Sequence, residues 1–385
     1  MISRFVKKVD INSIPYFDIS YCRDTFFFDI ETTGFSRESE RIYMIGLACL
    51  SDDENEIVIT QLMTESAADE KALLCEFILY ADGFNRCVTY NGKAFDVPFL
   101  KARIKKYRLS HDLSSISHLD LYIEIGKMKN FIPFGNRKQK GLEQFLGIER
   151  EDKYDGGKLI SVYLDYEKTK DEDSLSLLLL HNYEDMLGMC SVTSILSYKK
   201  ILKGGFHIDR IETDIKSGIY VNATLAKKVP VGFTHRNDYL SCRVSREGMV
   251  ILIPVFAGRK KLYYKDFKNY YYLPNEDRAV HKSVGRFVDK KFRVQAKASN
   301  CYESVDGSFI YAPDISRLKK SRTISEKLTQ SLSSVRFLRD DLSTKNLYIR
   351  LPIRSLPEGL DADTVLKSYI ISHLGKSGAT KKSHP

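Results

Sequence analysis

The chain has 385 residues and a formal net charge of +10, with 43 % hydrophobic, 11 % aromatic and 29 % charged residues. This composition excludes wholesale disorder, because so many apolar residues can bury a core. The sequence contains no run of about 18 uncharged apolar residues, so no membrane span is predicted. Because the seven cysteines are scattered and the N-terminal residues do not have the pattern of a signal peptide, we expect a cytoplasmic protein with reduced thiols and no structural zinc.

Hydrophobic periodicity predicts strands and helices in the first half of the chain. The apolar, aromatic run from Thr25 to Ile30 is typical of a central strand that is buried on both faces. Further predicted strands are 42–50, 56–62 and 86–90, and the predicted helices are 65–80, 95–107 and a long one from Asp173 or Ser174 to about Lys203. Three hairpin-connected strands followed by helices and further strands predict an α/β domain.

A domain boundary is predicted at Lys203-Gly204-Gly205, where the long helical pattern meets a pair of glycines. The charge balance changes sign nearby. Residues 204–385 contain 33 Lys and Arg against 18 Asp and Glu, a net charge of +15, whereas residues 1–203 have a net charge of −5. We therefore expect an acidic domain over 1–204, a basic domain over 205–374 and a disordered tail over 375–385.

The basic domain is predicted to be α+β. Residues 249–256 and 262–272 resemble the two arms of a hairpin, with the turn at 257–260. Lys282 to Ser299 has helical periodicity, and 302–311 and 347–351 are shorter strand candidates.

Two acidic residues lie at the end of the central strand in Phe27-Phe28-Asp29-Ile30-Glu31-Thr32-Thr33-Gly34. Residues two apart on a strand point to the same side, so Asp29 and Glu31 project together. Like charges at a buried strand end oppose ionisation unless cations neutralise them, which indicates a divalent metal site. Alternatively, both acids enter a turn at Thr32-Thr33-Gly34.

Two later segments add candidates. Asp96 begins a predicted helix, where it could also be an ordinary N-cap. His181 and Asp185 are four residues apart in the long helix and share a face. Gly188 lies one turn further on and would allow a metal or a substrate backbone to approach closely. The alternative is a solvated His–Asp pair.

These segments, in this order, resemble the three exonuclease motifs of the DEDD (DnaQ-like) superfamily, and within it the YprB-like ribonuclease H-like group. The motifs are Asp-Ile-Glu-Thr-Thr-Gly, Asn-Gly-Lys-x-Phe-Asp-x-Pro-Phe-Leu and the helical acidic segment, and the resemblance covers about Phe26 to Lys200. It implies an RNase H-like mixed sheet with flanking helices.

The resemblance also implies an activity, metal-dependent 3′→5′ exonucleolytic hydrolysis of phosphodiester bonds. Asp29, Glu31 and Asp185 would hold one divalent ion, and Asp29 and Asp96 a second, either Mg²⁺ or Mn²⁺. The expected substrate is single-stranded nucleic acid or a 3′ end, with DNA favoured over RNA. A catalytically silent nucleic-acid-binding module and a structure-specific endonuclease are the alternatives.

The general base departs from the pattern of that superfamily, in which Tyr lies four residues, or His five residues, before the last Asp. Here His181 occupies the position four residues before Asp185. Because this spacing keeps the imidazole on the face of Asp185, and because His titrates near neutral pH, we interpret His181 as the base.

Other candidates have weaker signals. His118 and Asp120 could support the metal site, or Asp120 could cap a helix beside a packed His118. Asn91 and Phe95 could contact the terminal nucleotide, although Phe95 could equally belong to the core. Five cations share one face if the C-terminal segment is helical, and this ridge could bind phosphates or be solvated. The five are Lys282, Arg286, Lys290, Arg293 and Lys297.

Overall fold

The computed structural model describes residues 1–110, 113–154, 156–214, 217–321, 326–353 and 360–376. The chain forms two compact units. The first comprises Met1–Lys129, Pro133–Tyr198 and Val229–Val231, and the second comprises Asn130–Ile132, Lys199–Lys228 and the residues from Gly232 onward. The domain boundary near Lys203 stays a prediction. In the predicted tail, Lys376 pairs with Asp314 at 2.8 Å, and residues 377–385 lie outside the described part of the chain.

The first unit is built on a mixed six-stranded sheet. Its strands are β1 (Ile2–Asp10), β2 (Thr25–Thr32), β3 (Ile42–Leu50), β4 (Glu56–Thr64), β5 (Arg86–Thr89) and β6 (Ser117–Asp120). The order across the sheet is β1-β4-β3-β2-β5-β6. The pairs from β1 to β2 are antiparallel, and β2–β5 and β5–β6 are parallel. The four predicted strands are present, whereas β1 and β6 were not predicted.

Helices pack on both faces of this sheet. Those of this unit are α1 (Glu70–Ala81), α2 (Asp96–Lys106), α3 (Leu121–Gly126), α4 (Gln139–Leu146), α5 (Gly156–Thr169) and α6 (Glu172–Val192), and α7 (Tyr198–Leu202) begins at Tyr198, beyond which the chain passes into the second unit. Phe26 and Phe28 of β2 pack on α1 and α2 in one core, whereas Tyr43 and Met44 of β3 pack on α5 and α6 in another. The predicted mixed α/β fold with flanking helices is therefore confirmed. The predicted long helix is divided, because a 3₁₀ segment over Thr193–Ser197 separates α6 from α7.

A glycine allows α6 to lie close to the sheet. A Cβ atom on Gly46 of β3 would lie 2.4 Å from Oδ1 of Asn182, a buried residue of α6. The Gln61 amide of β4 donates hydrogen bonds to this Oδ1 at 3.1 Å and to the Leu179 carbonyl at 2.8 Å. Since Gly46 is the register partner of Asp29, the close approach occurs beside the acidic end of β2.

The second unit is α+β, as predicted. Its strands are β7 (Phe206–Asp214), β8 (Gly218–Leu225), β9 (Phe233–Arg236), β10 (Ser241–Val244), β11 (Gly248–Ile253), β12 (Phe256–Tyr263), β13 (Tyr270–Leu273), β14 (Arg278–His281), β15 (Val294–Gln295), β16 (Tyr302–Tyr311) and β17 (Tyr348–Leu351). They form the sheets β7-β8-β11-β10-β9, β12-β16-β17 and β14-β13-β15. The helices are α8 (Lys282–Gly285), α9 (Ile315–Ser321), α10 (Glu326–Ser334) and α11 (Ala362–His373).

Two predictions for this unit were wrong. The predicted hairpin does not form, because β11 pairs with β8 and β10 while β12 pairs with β16. Pro254 lies between β11 and β12 and has no N–H group to donate to a ladder. The predicted helix over Lys282–Ser299 ends after one turn at Gly285. Val294 and Gln295 then pair with β13 instead, so strand pairing overrides the helical periodicity.

We expect Gly46→Ala to destabilise the first unit by about 1–3 kcal/mol, because the added methyl group meets the buried Asn182 amide. Thermal unfolding followed by circular dichroism measures the effect. Gly135→Ala is the matched control, because a Cβ atom added at Gly135 would have no heavy atom within 4 Å. Equal melting temperatures for the two variants would contradict the close approach of α6.

Candidate active site

Asp29, Glu31 and Asp96 meet where β2 ends and α2 begins. Asp29 and Glu31 lie two residues apart on β2 and are half-buried. Asp96 is the first residue of α2 and is 4 % exposed. Its Oδ1 accepts a hydrogen bond from the Ile30 backbone N–H at 3.1 Å, which ties the start of α2 to β2. Asp96 therefore faces the acidic strand rather than capping its own helix.

Helix α6 adds His181 and Asp185 to this group. The His181 Nε2 atom lies 3.1 Å from Asp185 Oδ2 and 3.6 Å from Glu31 Oε1. One ligand atom each from Glu31, His181 and Asp185 can be chosen so that all lie within 4.8 Å of one another. The structure thus brings together the β2 and α6 candidates, and their catalytic roles stay predictions.

Asp152 is a member of the site that sequence reasoning missed. Its buried Oδ2 lies 2.7 Å from Nδ1 of His181 and accepts a hydrogen bond from the Lys140 ammonium at 2.8 Å. With Nδ1 directed at this carboxylate, Nε2 is the ring nitrogen that faces Glu31 and Asp185. Asp152 lies in the charged run 149–152 before α5, which has the composition of a solvated loop and gave no signal.

Arg150 was also missed. Its Nη1 lies 2.7 Å from Asp185 Oδ1, and its other guanidinium nitrogens pair with Glu143 of α4, the Nη2 atom at 2.6 Å. The interpretation of Gly188 was wrong in the same region. A Cβ atom there would lie 1.8 Å from Glu143 Oε1, so this glycine accommodates α4 and not a metal or a substrate.

Asp120 acts as a helix cap and also shapes the loop before α2. It accepts hydrogen bonds from the backbone N–H of Ile123 at 3.2 Å, of Asn91 at 3.2 Å and of Lys93 at 2.9 Å. His118 contacts the Thr89 hydroxyl at 2.7 Å. Both residues therefore support the loop that leads to Asp96, and no carboxylate of the site is among their hydrogen-bond partners in the described chain.

Two phenyl rings lie at the start of α2 and in the loop after β2. Phe95 is half-buried and packs on Phe99, with 5.6 Å between ring centroids. Phe35, which sequence reasoning missed, is 79 % exposed and contacts Phe95 edge to face at 6.3 Å. Asn91 is exposed and has a φ of 64°. The five predicted phosphate-binding cations lie in the second unit, on no common helix.

Burial and neighbouring negative charges raise the pKa values of the acidic residues at the end of β2. Burial, followed by the charges of Asp96 and Glu31, raises the pKa of Asp29 well above its usual range. Burial raises the pKa of Glu31 to about 7, although the His181 charge opposes this shift. Burial likewise raises the pKa of Asp96 to about 7.

The α6 pair shifts in the opposite sense. Burial lowers the pKa of His181, but the hydrogen bond and charge of Asp185 outweigh it and raise the pKa to about 9. For Asp185, burial is outweighed by the contacts with His181 and Arg150, which lower its pKa. Within the described residues, no cationic side chain forms an ion pair with Asp29 or Asp96. A carboxylate-rich site with this unmet demand for positive charge fits divalent cations.

Residues 26–197 match the family model RNase_H_2, described as RNase_H superfamily. This segment is therefore similar in sequence to the RNase_H superfamily, and its mixed sheet with flanking helices is consistent with an RNase H-like fold. The uncharacterized protein YprB of Bacillus subtilis (strain 168) is 32 % identical over 182 residues, which cover 46 % of this chain and 42 % of that relative. The chain therefore spans less than half the length of the curated relative that it matches.

Solved structures give a more distant likeness. A family B DNA polymerase from Pyrobaculum calidifontis has a TM-score of 0.35 and 16 % identity, covering 47 % of this chain and 25 % of that chain. An exonuclease I complex (ExoI/SSB-Ct) has a TM-score of 0.30 and 12 % identity, and the match covers 57 % of this chain and 55 % of that chain. No helix in the described ranges is long and apolar enough to cross a membrane.

In chelator, we expect the thermal stability of the protein to fall as pH rises from about 4.5 to about 9. In the folded protein, the pKa of Glu31 is raised to about 7 and the pKa of His181 to about 9, so both groups keep their protons to higher pH. In the unfolded chain these groups release protons near their usual pKa values of about 4.5 and 6.5. The folded state thus binds more protons across this window, and raising pH favours unfolding. Circular dichroism melts at several pH values measure it.

Glu31→Gln is expected to flatten the acidic part of this pH dependence, whereas Glu38→Gln, an exposed residue outside the site, leaves it unchanged. A melting temperature that rises steadily from pH 5 to pH 9 in chelator would contradict the raised pKa values.

Proposed function

We propose that the protein is a metal-dependent 3′→5′ exonuclease that hydrolyses phosphodiester bonds of single-stranded nucleic acid, with DNA slightly favoured over RNA as the substrate. The observation that carries this proposal is the convergence of Asp29, Glu31 and Asp96 from β2 and α2 with His181 and Asp185 from α6, inside an RNase H-like domain. The direction of digestion rests on the resemblance of the three motifs.

Asp29, Glu31 and Asp185 would hold one divalent ion, and Asp29 and Asp96 a second. The raised pKa values of Asp29, Glu31 and Asp96 support this assignment, because each records a carboxylate that a nearby cation would stabilise in its charged form. When bound, Mg²⁺ or Mn²⁺ would supply activation of water and stabilisation of charge on the reacting phosphate.

His181 would accept the proton of the attacking water. The Asp152 carboxylate accepts a hydrogen bond from Nδ1 of His181, so Nε2 is the ring nitrogen that can accept a proton. This Nε2 atom faces the carboxylates of Glu31 and Asp185. Those two charges help to raise the pKa of His181. Neutralising them would return the imidazole towards its neutral form, which a general base requires. Asp152 is then a positioning residue.

Phe95 and Phe35 would receive the base of the terminal nucleotide, and Asn91 would donate a hydrogen bond to it. The exposed ring of Phe35 supports this role, since unpaired bases stack on accessible aromatic faces. A cytoplasmic location is also part of the proposal, supported by the seven cysteines, all of which are unpaired.

A second candidate function is a catalytically silent nucleic-acid-binding module. The observation that favours it is the ion pair of Arg150 with Asp185 Oδ1 at 2.7 Å. A permanently charged guanidinium on a proposed metal ligand reduces the need of that carboxylate for a metal. Binding of Mn²⁺ that depends on Asp29 separates the two functions.

The test is digestion of 5′-labelled single-stranded DNA and RNA in Mn²⁺ by the wild type and by Asp29→Asn. We expect a ladder that shortens from the 3′ end, with Asp29→Asn slower by about 10²–10³-fold because charge stabilisation is lost. Wild type, but not Asp29→Asn, is expected to gain thermal stability from Mn²⁺.

Asp24→Asn is the matched control, because Asp24 is an exposed acid just before β2. Internal cuts on a substrate with a blocked 3′ end would indicate an endonuclease instead. Absence of both cleavage and a Mn²⁺-dependent stability gain would favour the silent module.

We expect His181→Ala to reduce kcat by about 10²–10⁴-fold, the usual effect of losing a general base. Asp152→Asn is expected to shift the acidic limb of the kcat–pH profile to lower pH, because Asp152 helps to raise the pKa of His181. Asp165→Asn, an exposed acid on α5, is the control. If His181→Ala kept full activity at every pH, His181 would not be the base.

A further inference from the structure

The segment Lys282–Gln295 of the second unit exposes apolar side chains to solvent. Phe287 is 80 % exposed and Phe292 is 46 % exposed. Val284 and Val294, in the same segment, are also exposed. Exposed phenyl rings are costly in water unless a binding partner covers them, so this concentration in one short segment indicates a binding surface.

The segment is held in shape by its own hydrogen bonds. Backbone N–H groups of Phe287 and Phe292 donate to the carbonyls of Val284 and Asp289 at 3.1 and 3.0 Å. The Arg293 guanidinium donates to the Gly285 carbonyl and lies over the Tyr271 ring at 4.6 Å. With β15 paired to β13 as well, both phenyl rings are presented from a structured backbone.

The same segment is strongly basic. It contains Lys282, Arg286, Lys290, Lys291 and Arg293, and its acidic residue is Asp289. Arg286 lies over the ring of Phe287 at 4.8 Å, and Lys291 over the ring of Phe292 at 4.8 Å. Within the described chain, no acidic group forms an ion pair with Lys282, Arg286 or Lys290, whereas Lys291 lies 3.7 Å from Asp289. Exposed rings and cations thus alternate along this segment.

We infer that Lys282–Gln295 is a binding surface for single-stranded nucleic acid, with bases stacking on Phe287 and Phe292 and phosphates paired with Lys282, Arg286 and Lys290. The charge of the surface is complementary to a polyanion, and its exposed rings suit bases that are not hidden in a duplex. An anionic membrane would also bury exposed phenyl rings and attract these cations, so vesicle binding is measured beside oligonucleotide binding.

This surface would hold the substrate strand of the proposed nuclease, and in that respect the inference rests on the proposed function. Binding does not require cleavage, however. Measurements in chelator therefore separate binding of the strand from its cleavage, and the variants below assign the binding to this surface.

The first experiment measures binding of labelled oligo(dT) and oligo(rU) to the full chain in chelator, by fluorescence anisotropy. Base–aromatic stacking contributes about 1–3 kcal/mol per base, so Phe287→Ala/Phe292→Ala is expected to weaken binding by at least about tenfold. Phe287→Tyr/Phe292→Tyr, which keeps both rings, is expected to retain it. Leu342→Ala, at another exposed apolar residue of this unit, is the control for truncation.

The second experiment reverses charges. We expect the triple variant Lys282→Glu/Arg286→Glu/Lys290→Glu to bind the oligonucleotides more weakly. The slope of the logarithm of the binding constant against the logarithm of the salt concentration should become shallower by about 2, because each of the three lost phosphate contacts contributes about 0.7. Arg243→Glu/Arg246→Glu, at exposed cations elsewhere in the unit, is expected to change both quantities much less.

The outcomes separate the two proposals. Unchanged oligonucleotide binding in the Phe287→Ala/Phe292→Ala variant would overturn the surface, even if the protein digests DNA. Ring-dependent binding without any digestion would keep the surface and defeat the nuclease. Binding to phosphatidylserine vesicles with no ring-dependent binding to either oligonucleotide would also overturn the surface.

Discussion

The repulsion between carboxylates gathered at one end of β2 is the constraint on which the first unit depends. Asp29, Glu31 and Asp96 are held close enough for each to disfavour ionisation of another, and burial increases the cost. The protein offsets part of that cost locally, with the Ile30 N–H on Asp96 and with His181 beside Glu31. Asp29 has no such partner among the described residues, so the fold concentrates a demand for cations at this point.

That demand can persist because the surrounding backbone is fixed. Strands β2 and β3 are buried between helices on both faces, so the acidic strand cannot move away from its neighbours without opening two cores. Gly46 allows α6 to approach the sheet, and Gly188 allows α4 to approach α6. Asp120 holds the loop that precedes Asp96. The positions of the charges are therefore set by packing that is distant from the charges themselves.

Sequence patterns identified what depends on local periodicity. The strand with Asp29 and Glu31, and the helix face with His181 and Asp185, follow from spacings of two and four residues. Asp152 and Arg150 could not be found this way, because they lie in a polar loop and reach α6 only through tertiary structure. The Lys-rich β1 lacked the alternation of a half-buried strand. In the second unit, pairing of Val294 and Gln295 with β13 overrode a helical pattern.

The two cationic side chains at Asp185 are not equivalent, and this difference decides how the site can be occupied. Arg150 is anchored by Glu143 and lies at Oδ1, whereas His181 lies at Oδ2, the oxygen on the side of Glu31. A guanidinium stays charged, but an imidazole can lose its proton. Neutralisation of Glu31 and of Oδ2 of Asp185 would therefore leave a neutral imidazole at His181, as its proposed role as general base requires, while Arg150 remains paired with Asp185. Considered alone, the Arg150 ion pair favours a silent module. In this arrangement it is compatible with catalysis, because Arg150 occupies Oδ1 of Asp185 and leaves Oδ2 to His181, which can lose its proton.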